Sequence, residues 1–208
     1  MQIKNIIKTV VDIAHKYQEK LENKNILFIY LEHSSQKINY IETKFLSRNF
    51  LHLTGLNFSG KHSNYFYKLC LNNKIKSKDI EIRNQKLIQM KLEILNNLAF
   101  LDKKVRILGQ YNNSKLRLNT DMIIGNINWG LGFIQDNGFY VPNTLLKDDI
   151  RDIIINSNRV ICIMSKKIQD KEYNKIDYLV KDFEIQNIID TEDLKNKIAL
   201  KYDKNLLN

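Results

Sequence analysis

The stretch Asn49-Phe50-Leu51-His52-Leu53-Thr54-Gly55-Leu56 is apolar at alternate positions. That pattern predicts a half-buried strand with Phe50, His52 and Thr54 on one face. Gly55 closes it, at a point where the backbone can turn without a Cβ penalty. A histidine beside a hydroxyl at a strand end suits proton-transfer chemistry, and the residues that follow are strongly basic. The segments on either side decide what this stretch packs against.

Upstream, Ile3, Ile6, Ile7, Val10, Val11, Ala14 and Leu21 recur at helical spacing. They predict an amphipathic helix over residues 2–22. Ile26–Leu31 is a compact run of β-branched and aromatic residues and reads as a strand. Glu32-His33-Ser34-Ser35 turns the chain into a second, antiparallel strand over Lys37–Phe45. Downstream, Gly60–Leu71 resumes a helical pattern, and Ser77 and Asp79 are N-cap candidates for a longer helix reaching Phe100. Strands are expected over Val105–Tyr111, Leu116–Ile127 and Gly130–Gln135. Asp136-Asn137-Gly138 is the clearest turn signal, forming a hairpin with Phe139-Tyr140-Val141. Asn143-Thr144, after Pro142, is placed to cap a short helix around Leu145–Ile155. Val160–Met164 reads as a last core strand with Tyr173–Leu179 as its partner, and Leu194, Ile198 and Tyr202 give the tail a helical spacing. Helices early and antiparallel strands late imply an α+β fold. Its 208 residues fit a single domain over 1–208, with 182–208 a C-terminal helical tail.

Composition narrows the chemistry. The apolar content of 43% supports a sizeable core, while one proline and 7 glycines leave little room for flexible linkers. Cys70 and Cys162 form no CxxC pair, which speaks against a zinc site or a disulfide framework and suits a reducing interior. The first residues lack the apolar core of a signal peptide, and no run is apolar and long enough for a membrane span. A cytoplasmic protein with no membrane partner is expected. Charge is uneven: residues 1–120 carry 21 Lys/Arg against 9 Asp/Glu, a balance of +12, and residues 121–208 carry 12 against 14. A localised positive field of this kind attracts a polyanion, either nucleic acid or an acidic protein.

There is no P-loop, GxGxxG, HExxH or GxSxG motif, and four scattered histidines without clustered carboxylates argue against a metal centre. Neither a metal nor another cofactor is expected. Metal-free cleavage of RNA asks for less. A base takes the ribose 2′-OH proton, an acid protonates the leaving 5′ oxygen, and cations stabilise the charged phosphorane. The residue types for those roles are His52 with Thr54, then Lys61, His62, Lys68 and Arg83 in the basic stretch, and Tyr140, Asn143 and Thr144 near the late turn. Lys74, Lys76 and Lys78 add to the basic face. Each has a structural alternative: His52 as a hydrogen-bonded core histidine, Thr54 as a turn residue, the lysines as a solvated face.

The run from Ile41-Glu42-Thr43-Lys44-Phe45 through His52-Leu53-Thr54-Gly55-Leu56, followed by an aromatic helix and by Tyr140-Val141-Pro142-Asn143, resembles the signature of a phage and Firmicute nuclease group. That group is related to barnase, EndoU, colicin E5/D and RelE, in its fourth phage-associated subtype. The match runs over roughly residues 25–165. The chain departs from the signature at Asn57-Phe58 and in carrying Asn-Thr after the proline. The resemblance implies an α+β fold with helices packed on a curved antiparallel sheet, and a toxin-like, metal-independent ribonuclease activity. Carried over by position, His52 is the leading catalytic residue, completed by Asn143 or Thr144 and a basic residue such as Lys68.

Two functions lead on the sequence, with a plain structural or virion-associated protein as a third. The first is an endoribonuclease of phage or mobile-element origin, acting on RNA such as tRNA and paired with an immunity protein. The second is a non-catalytic basic protein that uses the same scaffold to block a ribonucleoprotein or defence complex.

Overall fold

A computed structural model describes residues 2–60, 62–112 and 118–199. The chain opens with α1 (Ile3–Tyr17), extended by one π turn at Gln18–Glu22. Ile6, Val10, Ile13, Ala14 and Tyr17 form its buried stripe, as the apolar spacing requires. Strands β1 (Lys24–Leu31) and β2 (Ile38–Lys44) make the expected antiparallel pair. Next come α2 (Ser47–Thr54), the two-residue β3 (Asn57–Phe58), α3 (Ser63–Leu71), β4 (Ile80–Glu81), α4 (Gln85–Asn97) and α5 (Leu101–Lys104). The second half supplies β5 (Ile107–Tyr111), β6 (Met122–Gly125), β7 (Gly130–Asp136), β8 (Phe139–Leu146), β9 (Ile154–Lys167) and β10 (Lys175–Leu179), then short helices α6 (Ile185–Ile189) and α7 (Glu192–Lys195).

The fold is α+β, with helices packed on a strongly curved sheet. Strands pair in the order β1-β2-β8-β7-β6-β5-β9, and β9 pairs back to β1, so the sheet closes into a ring with β10 along β9. Every pairing in it is antiparallel except β2 with β8, a parallel contact through Thr43 and Tyr140 alone. The central strands are covered on both sides. Ile26 and Phe28 of β1 join the core under α1 to α4, while Leu27 and Ile29 pack with Ile161 and Met164 beneath Ile185, Ile188 and Ile189 of α6. This is why Ile26 to Ile29 are buried consecutively rather than alternately. The C-terminal segment is pinned by Glu42, whose carboxylate accepts from Tyr173 Oη at 3.1 Å and from Lys197 Nζ at 2.7 Å.

Several local expectations give way to longer-range forces. Residues 47–54 are a helix, not a strand: Phe50, Leu53 and Thr54 fall at i, i+3 and i+4, and a deep aromatic pocket receives that face. The helix expected from Ser77 or Asp79 begins at Gln85, with Asn84 as its cap accepting from the Leu87 N–H at 3.0 Å. Asp79 does cap, but what it closes is a single 3-10 turn at Ser77–Asp79. Asn143 and Thr144 cap nothing; both belong to β8, and only a 3-10 turn at Ile150–Asp152 interrupts the run into β9. Pro142 is tolerated inside a strand because Asn143 beside it is the extra residue of a bulge, unmatched between Gly132–Thr144 and Phe133–Pro142. Leu116, Arg117 and Tyr202 lie outside the described residues. The Asn137-Gly138 turn stands as read, with φ of +49° and +81°.

Cys70 and Cys162 are both buried, and burial pushes each thiol up to about 12. In native buffer at pH 8 both are expected to be inert to a disulfide reagent, and both to react at once in denaturant. Rapid stoichiometric labelling of either thiol in the folded protein would contradict their placement.

Candidate functional site

The helical turn of residues 47–54 decides where the histidine points. Phe50, Leu53 and Thr54 face inward, and His52 is left exposed on the opposite side. In a strand His52 would have shared the face of Phe50, which is fully buried against the rings of Tyr17, Phe66 and Tyr67. The helix ends at Gly55 in the left-handed region, φ +71°. The fully buried Thr54 hydroxyl donates to the Leu51 carbonyl at 2.7 Å and accepts from the Leu56 N–H at 3.1 Å, so it closes the helix from inside.

A Cβ on Gly55 would meet Lys91 Cδ at 2.9 Å as well as straining the backbone. Gly55→Ala is therefore expected to cost about 1 kcal/mol, or roughly 2–4 °C in Tm. Thermal unfolding followed by circular dichroism checks it, and an unchanged Tm would mean the end of this helix is not held as described.

His52 lines a cleft of about 400 Å³ with Asn57, Ser59, Lys78, Glu81 and Arg83. One wall is the small ribbon of β3 and β4, where Asn57 pairs with Glu81 and Phe58 with Ile80. The ribbon is held at its mouth by Asp79, whose carbonyl accepts from both the N–H and the hydroxyl of Ser59 at 3.0 Å. Arg83 and Glu81 face each other at 3.2 Å across exposed surface, a geometry that adds little stability and leaves both free to meet a ligand. Behind the histidine, Lys91 of α4 reaches the His52 carbonyl at 3.4 Å, and burial lowers the pKa of its ammonium. An imidazole, a carboxylate and two cations thus open onto one space.

The structure brings His52, Lys78 and Arg83 together. It places the others elsewhere. Lys68 is exposed on α3, His62 precedes that helix, and Lys74 and Lys76 are exposed on the connection that follows it. Lys61 lies outside the described residues. Tyr140, Asn143 and Thr144 stand on β8, and none of them lines the His52 cleft among its described residues. Tyr140 is half-buried, and burial, with the Asp121 carboxylate nearby, raises its phenol above the ordinary range. Asn143 uses its amide to donate to the Asn119 carbonyl, and Thr144 sits opposite Gly132. The first turn of α2 does reach this strand pair, because Arg48 is ion-paired with Asp136 at the β7–β8 turn.

Sequence reasoning missed Glu81 and Lys91. Glu81 reaches the cleft only through the pairing of β3 with β4, and Lys91 only through the packing of α4 on α2, neither of which leaves a local pattern. Among the described residues no helix is long and apolar enough to cross a membrane.

Neither the curated proteins nor the solved structures yield a match to this chain. A family model does: the one for phage-Barnase-EndoU-ColicinE5/D-RelE like nuclease 4 matches residues 9–182, and the chain belongs to that nuclease family.

Proposed function

We propose that the chain is a metal-independent endoribonuclease whose reaction takes place in the His52 cleft. The observation that carries this reading is the presence of an exposed imidazole, the Glu81 carboxylate and the Arg83 and Lys78 cations around one opening. Glu81 accepts the 2′-OH proton as the 2′ oxygen attacks phosphorus. His52, protonated, gives its proton to the 5′ oxygen as the P–O5′ bond breaks, leaving a 2′,3′-cyclic phosphate and a 5′-hydroxyl. Arg83 and Lys78 bear on the phosphoryl oxygens as negative charge grows there. Acting in a host cytoplasm, such an enzyme would have tRNA among its accessible substrates.

The test is incubation of labelled tRNA and total RNA in EDTA, with analysis of the product ends. Cyclic phosphate ends are expected. Cleavage that appears only when a divalent cation is restored would overturn the mechanism.

A second reading draws on the exposed Lys74 and Lys76, which lie outside the cleft. A non-catalytic protein could bind RNA or a ribonucleoprotein through them and so inhibit a host complex. It would show salt-sensitive binding that is lost on reversing Lys74 and Lys76 and indifferent to His52→Ala.

A further inference from the structure

A second basic hollow lies away from His52, at the other end of α4. It holds about 290 Å³ and is walled by the π turn after α1, the start of β1, the segment from Leu98 to Lys103 and the paired ends of β9 and β10. Four lysines surround it: Lys20, Lys24, Lys103 and Lys175. Its floor is apolar, built from buried Leu21, Leu98, Leu101 and Ile163. At its rim stands Phe100, one of the few large apolar side chains left in solvent, 46% exposed. An adjoining hollow of about 410 Å³ shares Lys24 and Lys175 and adds Lys166 and Lys167. Asp102 and Asp177 line the first hollow and Asp170 the second, and Lys175 pairs with Asp177. With Glu19, which pairs with Lys20, six lysines still outnumber four carboxylates and leave the combined groove positive.

Packing explains neither the exposed ring nor the lysine cluster. A core would have buried Phe100, and a merely soluble face would not gather its lysines around an apolar floor. Cations beside an exposed aromatic ring, over a cavity with room for a nucleobase, are the means by which proteins hold single-stranded nucleic acid: the base stacks and the phosphates meet lysines. We propose that this hollow is a second RNA site, which takes one unpaired base against Phe100 and the neighbouring phosphates on Lys20, Lys24 and Lys103. The proposal rests on RNA being the substrate. The 13 residues of α4 lie between Arg83 of the cleft and Leu98 of the hollow, about 20 Å at helical rise, a span that a single strand of several nucleotides covers. The second site then anchors the strand while the first cleaves it.

The test measures binding of a fluorescent 20-nucleotide oligouridylate and of an RNA duplex to the full chain carrying His52→Ala, with Phe100→Ala and Lys24→Glu added singly. Each variant is expected to melt as its parent. Phe100→Ala should weaken single-strand binding roughly 5- to 100-fold and leave the duplex nearly unchanged. Lys24→Glu should weaken both and flatten the salt dependence by about one phosphate contact. In the otherwise wild-type enzyme, Phe100→Ala should raise KM on long RNA and leave the rate on a dinucleoside monophosphate alone. If the His52→Ala parent binds the oligonucleotide but neither substitution alters it, the second site is refuted and the cleavage reading survives. If the parent binds no RNA, both fail. Equal losses on single strand and duplex from Phe100→Ala would overturn the base-stacking role.

Discussion

His52→Ala is expected to lower the rate of RNA cleavage by about 10²–10⁴-fold, the usual loss when a positioned general acid is removed. Folding should be almost untouched. The side chain is exposed and among the described residues makes no hydrogen bond that holds the fold, and its backbone carbonyl, which receives Lys91, is unchanged by the substitution. Arg83→Gln should produce a separate loss, because it withdraws positive charge from the phosphate rather than a proton from the leaving group. If Arg83 and His52 act on the same transition state, the double variant will fall less than the product of the two. Glu81→Gln distinguishes the proton acceptor from its partner. Loss with Glu81→Gln as deep as with His52→Ala supports a two-group mechanism. Full activity in Glu81→Gln would assign the carboxylate to holding Arg83 instead. Rates are read from initial velocities on a labelled tRNA in EDTA, and a His52→Ala protein as active as its parent would remove the cleft from the chemistry altogether.

Phe50→Ala, two residues away, should do the reverse. Phe50 is fully buried, with its ring 5.2 Å from that of Tyr17, 5.0 Å from Tyr67 and 6.2 Å from Phe66. Deleting it leaves a cavity where α1, α2 and α3 meet and breaks three ring contacts at once. A cost of about 3–5 kcal/mol is expected, or roughly 10 °C in Tm. Urea unfolding gives the first figure and calorimetry the second. A loss under 1 kcal/mol would mean the three helices do not share that core. Positions two apart on one helix thus separate activity from stability, which a strand with both side chains on one face could not do.

That contrast also shows what a reader of the sequence could see. The α1 stripe, the β1–β2 pair and the Asn137-Gly138 hairpin were legible because each is settled by residues within a few positions of one another. The run around His52 was not, because five to eight apolar-rich residues satisfy a strand period and a helix period alike. Its choice falls to Tyr17 and Tyr67, brought from before and after it in the chain. Asp79 carried a genuine capping signal and Ser77 did not, but the β3–β4 pairing drew Ile80 into a ribbon and pushed the helix start to Gln85. Isoleucines between Leu145 and Ile155 read as helix or strand with equal ease, and the ring of strands settled them. The candidate site was half legible. Its histidine, Lys78 and Arg83 were residue types in a basic stretch, whereas Glu81 and Lys91 reached it by tertiary packing alone.

One joint in the ring of strands has a bearing on how the molecule assembles. Thr43 and Tyr140 make the only rung between β2 and β8, and they stand about a hundred positions apart along the polypeptide. Every other seam of the ring has four rungs or more. A single rung closes little backbone hydrogen bonding, so amide exchange under mild denaturant is expected to be faster at Thr43 and Tyr140 than along the other seams. On one side of it hangs α2 with His52, on the other β8 with Tyr140 and Asn143.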